Sequence, residues 1–153
     1  GSLPVHGFVL NMPKVFEDFL TKSLRAALGP YGGRVKSQKS VHLDEAQLIP
    51  IQPDIVWMEG RRPVAVIDAK YKAEKPDGFP DADVYQAFAY ATALDLPVAH
   101  LVYAKGNEPE RSYTVRHAGT KILVHVLDLD ASPELLLAQV RQLAARIVAR
   151  ATT

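Results

Sequence analysis

An α/β fold, with a central mixed β-sheet flanked by helices, follows from three features of the 153-residue sequence. Two Val/Ile-rich runs, at 53–58 and 63–72, flank Glu59-Gly60-Arg61-Arg62, a β-hairpin pattern with a glycine in a short loop. Stretches near the start, middle and end of the chain have the spacing and start signals of helices. Further runs rich in Val, Leu and Ile lie between the second and third of these. The order is helix, strands, helix, strands, helix, which favours one sheet covered on both faces.

Each element has its own signal. In 11–28, Phe16, Phe19, Leu20, Leu24, Ala27 and Leu28 recur at threes and fours and make one apolar stripe. Asn11 can cap that helix and Pro13 is tolerated in its first turn. Gly29-Pro30-Tyr31-Gly32-Gly33 ends it. Arg34, Lys36 and Lys39 read as a basic, solvated loop, followed by one or two strands around Val41, Leu43 and Leu48-Ile49. After the hairpin, Asp81 or Asp83 opens a helix through Leu94. Strands follow at 98–104, 113–116 and 122–127, with a turn at 105–109. Ser132-Pro133-Glu134 supplies a cap, a first-turn proline and an early carboxylate for a last helix. Leu136, Val140, Leu143, Ala144 and Ile147 form its apolar face.

Composition narrows the function. Eighteen Lys and Arg against seventeen Asp and Glu leave a formal charge of +1, so nucleic-acid binding must rest on a local patch. A chain of this length needs neither metal nor disulfide merely to fold. The absence of cysteine excludes disulfides, thiolate metal sites and cysteine nucleophiles. No Gly-Lys-Ser/Thr ending exists for a P-loop, and no Gly-x-Ser-x-Gly elbow for a hydrolase serine. His6, His42, His100, His117 and His125 are scattered without ligand spacing and read as structural, which disfavours zinc. Arg141, Arg146 and Arg150 read as a solvated helix face. There is no apolar run of about 20 residues and no leader pattern, so the expectation is a cytoplasmic protein without a membrane partner. Gly1-Ser2 reads as a tag remnant, and 3–153 as a single domain.

The hairpin concentrates chemistry. Centring its turn on Arg61 puts Asp54 opposite Asp68, with β-carbons about 5 Å apart. Alternation then places Asp54, Val56, Met58, Val64, Val66, Asp68 and Lys70 on one face, and Ile55, Trp57, Ala65 and Ile67 on the other. Facing carboxylates destabilise a sheet, and burial worsens the repulsion. Lys70 can neutralise one acid but not both. A divalent cation satisfies both, and oxygen ligands plus retained waters suit Mg²⁺, with Mn²⁺ as a substitute. The backbone carbonyl of Ala69 is a further candidate ligand. The fitting chemistry is metal-assisted phosphodiester hydrolysis, with Lys70 orienting water or offsetting transition-state charge.

Pro53-Asp54 followed by Asp68-Ala69-Lys70 resembles the PD-(D/E)XK nuclease superfamily. The longer string Val66-Ile67-Asp68-Ala69-Lys70-Tyr71-Lys72 is similar to the nuclease domain of the McrC family. So are Asn11-Met12-Pro13-Lys14-Val15-Phe16-Glu17-Asp18-Phe19 ahead of it and Tyr85-Gln86-Ala87-Phe88-Ala89-Tyr90 behind it. The likeness covers about residues 8–105. It implies a restriction-endonuclease-like core, metal ligation by Asp54 and Asp68, and a catalytic Lys70. It matches Glu17 to a first-helix glutamate that completes the acidic site. It matches Gln86 and Tyr90 to the Gln-x-x-x-Tyr of the RecB-like branch, supporting the site or touching DNA. Lys72 shares the Lys70 face and is either a phosphate contact or a solvated lysine.

The resemblance further implies an endonuclease acting on double-stranded DNA in a 5-methylcytosine-type restriction system. An McrB-like AAA+ GTPase would drive it, with base recognition outside this chain and the partner-binding N-terminal region of McrC missing. Two alternatives stay open: a RecB-like nuclease acting on DNA ends in repair, and a nuclease-fold assembly module without catalysis.

Overall fold

The computed structural model describes residues 2–5, 8–71, 79–104 and 110–151. A short antiparallel hairpin, β1 (Ser2–Val5) and β2 (Phe8–Asn11), runs straight into α1 (Met12–Leu28). Asn11 caps α1 as expected, its Oδ1 accepting the Lys14 N–H at 3.2 Å. A 3₁₀ turn (Gly29–Tyr31) leads to β3 (Arg34–Ser37), β4 (Val41–His42), β5 (Pro50–Ile51), β6 (Ile55–Glu59) and β7 (Arg62–Lys70). Then come α2 (Asp81–Ala93), β8 (Val98–Tyr103), β9 (Arg111–Thr114), β10 (Lys121–Val126) and α3 (Pro133–Ala151). Six strands form the main sheet in the order β3-β6-β7-β8-β10-β9. It is mixed: β7, β8 and β10 run parallel, and the remaining pairings are antiparallel.

The central strands are apolar on both faces because both are covered. Ile55, Trp57, Ala65 and Ile67 join Phe16, Leu20 and Leu24 of α1 and Val140, Leu143 and Ile147 of α3 in one core. Val56, Met58 and Val66 join Phe79, Ala87, Tyr90 and Ala91 in the other, beneath α2. Each Val, Leu, Ile, Phe or Met among them contributes roughly 1.5–3 kcal/mol when fully buried. A slip of one residue would exchange the two faces.

Four local expectations need correction. The hairpin turn is the two-residue Gly60-Arg61, since Glu59 pairs with Arg62; Gly60 supplies φ +64°. Met58 therefore faces Pro63 rather than Val64, and the register shifts between Trp57 and Met58. Val64 is the extra residue of that bulge, which turns it to the α1–α3 core rather than the α2 side. From Trp57–Ala65 to Ile55–Ile67 the expected register holds.

Second, Arg34–Ser37 is a sheet strand, not a loop. As an edge it buries little: Val35 packs on the core while Arg34 and Lys36 stay exposed, too short an alternation to read. The tight approach just before it needs Gly33, at φ +69°, where an added Cβ would lie 2.5 Å from the Met58 carbonyl oxygen. Third, Leu48 and Ile49 belong to an exposed turn, because the Asp44 carboxylate takes their N–H groups at 2.7–3.0 Å. Fourth, β9 begins at Arg111, two residues ahead of the expected start. The expected turn at 105–109 lies outside the described residues.

His100 of β8 and His125 of β10 are structural, as expected, but they are paired. Their stacked rings bring Nδ1 of His100 to 3.0 Å from Nε2 of His125, both buried. Burial holds His100 down to about 3, helped by His125 and Arg150. Burial also holds His125 down to about 4, with Glu110 opposing and Arg146 assisting. The unfolded chain therefore takes up these protons first, near pH 6.5. Stability is complete above that pH and is lost as pH falls toward the folded values. At pH 5 the loss is about 2 kcal/mol per histidine. A urea midpoint measured from pH 7.5 to 4.5 is expected to drop, and His125→Gln should flatten the drop.

Candidate active site

The end of β7 carries the chemistry. Alternation packs the half-buried Ala69 and Tyr71 against the α1–α3 core and turns Asp68 and Lys70 toward α2. Pro53 and Asp54 lead into β6 beside them. The facing aspartates of the sequence reading are realised as a reciprocal clasp. The Asp54 N–H reaches Asp68 Oδ1 at 3.4 Å, and the Ala69 N–H donates to Asp54 Oδ2 at 2.9 Å. Asp68 is only 4% exposed.

The Lys70 ammonium lies between the sheet and α2. It is 2.9 Å from Asp68 Oδ2 and donates to Gln86 Oε1 at 2.7 Å. Asp83 Oδ1 is a more distant counter-charge at 3.7 Å. The Tyr103 hydroxyl donates to the other oxygen of Asp83 at 2.6 Å. Burial alone would lower the Lys70 pKa, but Asp68, Asp83 and Asp54 together hold it above its ordinary value, so the ammonium is charged. Tyr90, one helical turn after Gln86, is buried under the same acids. Burial, then the charges of Asp68 and Asp54, push its hydroxyl up to about 12.

From the opposite side, α1 presents Glu17, half-buried with a carboxylate 3.2 Å from the Lys14 ammonium. Gln38 bridges it to the hairpin: its Nε2 donates to Glu17 Oε2 at 2.8 Å and to Asp54 Oδ1 at 3.2 Å. Burial pushes Asp54 up to about 6, reinforced by the neighbouring Asp68 charge, while the Ala69 N–H pulls the other way. Burial and the charge of Asp54 also raise Glu17, against the pull of Lys14. Both shifts arise first from burial and then from the neighbouring acid.

Among the described residues, no three His, Cys, Asp or Glu side chains enclose a ready-made metal cage. The acids come as a close pair, Asp54 and Asp68, with Glu17 meeting Asp54 both directly and through the Gln38 amide. An all-oxygen set of this kind fits a hard cation held by one or two carboxylates that keeps several waters. It does not fit a metal needing nitrogen or sulfur ligands.

A family model, the McrBC 5-methylcytosine restriction system component, matches residues 1–104. The chain belongs to this McrBC family. No curated protein matches it. Among solved structures, it matches a chain of the refined half-complex from the tetradecameric assembly of Thermococcus gammatolerans McrB AAA+ hexamers with bound McrC. The TM-score is 0.71 at 20% identity, over 92% of this chain and 34% of that one, so the likeness is one of fold. The chain thus spans about a third of the length of the chain it matches. Both findings agree with the McrC resemblance carried by the sequence motifs.

Of the residues singled out from the sequence of this McrBC-family chain, the structure brings Asp54, Asp68, Ala69, Lys70, Gln86 and Tyr90 together. Glu17 joins them through Gln38. Lys72 lies outside the described residues. Three contributors were not assigned to the site from sequence. Asp83 was read only as a possible start of its helix. Tyr103 carried no signal until β8 was known to lie beside β7, where Lys70 pairs with Tyr103. Gln38 sat in a segment read as loop.

Proposed function

We propose that this chain is the nuclease domain of an McrC-type restriction component. It would have a PD-(D/E)XK core and cleave double-stranded DNA with Mg²⁺, or Mn²⁺ in its place. The observation that carries the reading is the clasp between the buried Asp68 and the part-buried Asp54, with the Lys70 ammonium 2.9 Å from Asp68. The repulsion between two facing carboxylates costs the fold stability. A bound cation offsets it.

In this reading Asp54 and Asp68 hold the ion, with the Ala69 carbonyl and Glu17 as further oxygen donors. The bound ion lowers the pKa of a coordinated water and offsets charge on the phosphate oxygens. Lys70 contributes a fixed positive charge beside the scissile phosphate, kept in place by Gln86 in front and Asp83 behind. Tyr103 keeps Asp83 from turning away. Tyr90 remains a neutral hydroxyl at any working pH, suited to hydrogen bonding rather than proton abstraction.

Target choice and energy must come from elsewhere, since the chain has no P-loop. An McrB-like GTP-hydrolysing AAA+ ring is the proposed motor, acting in the cytoplasm. No helix among the described residues is long and apolar enough to cross a membrane.

Calorimetric titration of Mn²⁺ and Mg²⁺ into the chain and into Asp68→Asn tests the site. Binding by the parent that disappears in the variant is the expected result. Equal binding by both would place the ion elsewhere and sink the reading.

A further inference from the structure

The residue joining the two halves of the acidic site is an uncharged one. Gln38 follows the last residue of β3, and its backbone is left-handed, at φ +53°. That conformation is uncommon and costly for a residue other than glycine, and it persists only where surrounding contacts impose it. Here they do. The Gln38 N–H donates to the Asp54 carbonyl at 2.9 Å, and the Gln38 carbonyl accepts from Gln52 Nε2 at 2.9 Å. The backbone is pinned on both sides.

Pinned in this way, the side chain meets two carboxylates: Glu17 Oε2 at 2.8 Å and Asp54 Oδ1 at 3.2 Å. Ionised carboxylates only accept, so the amide must present its nitrogen to both. Glu17 Oε2 also accepts from Lys14 of its own helix, an ammonium 3.2 Å away on a side chain 58% exposed, so the same oxygen is shared between the amide and a solvent-facing cation. Asp54 repels Glu17, while Lys14 draws it toward solvent. The Gln38 amide opposes both, alongside the direct side-chain contact of Glu17 with Asp54.

We propose that Gln38 is a positioning residue that clamps Glu17 to Asp54 and so presets the acidic site for its cation. The proposal rests on the metal-site reading above and adds a residue to it. With the clamp in place, α1 delivers its carboxylate to the hairpin before any ion arrives. Without it, the ion must itself pull Glu17 away from Lys14, and binding weakens.

The test is calorimetric titration of Mn²⁺ into the whole chain, the parent beside Gln38→Gly, Glu17→Gln and their combination. Glycine accepts the left-handed backbone and removes only the amide. Gln38→Asn is the second variant: asparagine tolerates this backbone, but its shorter amide cannot span both acids. A melt in chelator establishes that each variant is folded. Both Gln38 variants are expected to bind Mn²⁺ about 10- to 100-fold more weakly, the range for losing a residue that orients metal ligands. That loss should shrink in the Glu17→Gln background, where there is less to clamp.

A parent and Gln38 variants with affinities within twofold would overturn the proposal. So would an equal loss with and without Glu17, which would make Gln38 a support of the fold alone. A parent that binds no Mn²⁺ overturns the metal-site reading itself, and the proposal with it.

Discussion

On the proposed nuclease reading, Lys70→Ala in the full-length protein, reconstituted with the proposed AAA+ partner, is expected to reduce DNA cleavage about 10²- to 10³-fold, the usual cost of removing one group that stabilises transition-state charge. Mn²⁺ affinity should be unchanged or slightly higher. The physical reason is the position of the ammonium. Lys70 lies 2.9 Å from Asp68 and offsets part of the charge that would attract the ion. Removing it leaves the carboxylates more negative, so the ion loses nothing. The scissile phosphate of the proposed reaction, in contrast, would lose a fixed positive charge that Gln86 and Asp83 hold in place. Lys70→Arg should not restore activity, because a planar guanidinium cannot replace a compact ammonium in that slot. The check is cleavage of methylated plasmid in parallel with calorimetry. Retained cleavage removes Lys70 from the chemistry, and lost metal binding makes it a support of the site.

Asp54→Asn is expected to abolish Mn²⁺ binding yet leave the metal-free protein as stable as the parent or more so. In the folded chain Asp54 is pushed up to about 6, first by burial and then by the Asp68 charge. A carboxylate with a raised folded pKa favours the fold below its unfolded pKa, near 3.9. That contribution is lost as pH rises through 6 and is gone at pH 8. A neutral, equally shaped side chain recovers it, at most about 3 kcal/mol and less for a side chain that is only part-buried. The asparagine oxygen can still accept the Ala69 N–H, and Gln38 can rotate its amide to suit. Melts in chelator at pH 8 and pH 4 check this. The variant should gain at pH 8, and the gain should vanish at pH 4, where the parent's Asp54 is already protonated. A clear loss of stability at pH 8 would instead mark the clasp as a structural ion-pair cluster.

The two tests separate three ways of reading the same residues. A working nuclease shows both effects. A retired nuclease fold used for assembly loses no activity at Lys70 and no metal binding at Asp54. A structural cluster loses stability when either acid is neutralised.

Much of this site was legible before any coordinates, for reasons of range. α1 and α3 follow from side chains spaced three and four apart, and their caps from the residues just before them. The hairpin follows from two alternating runs and a short turn, so the meeting of Asp54 with Asp68 was set by neighbours in the chain. The bulge at Val64 did not disturb it, because the shift lies between the turn and Trp57 and the register beyond is intact. Gln86 and Tyr90 share a helix face through spacing alone.

The remaining features depend on how distant segments pack. β3 is an edge strand whose only core contribution is Val35, so its identity rests on pairing with β6 rather than on its own pattern. Tyr103 reaches Asp83 because β8 lies parallel to β7 beneath α2. Gln38 reaches Glu17 across 21 residues because α1 and β3 converge on the same end of the sheet. A polar side chain carries no periodicity that announces such a partner. Its role is set by the backbone that aims it and the charges it finds there, and both come from the packing of α1 and the edge strand around the hairpin.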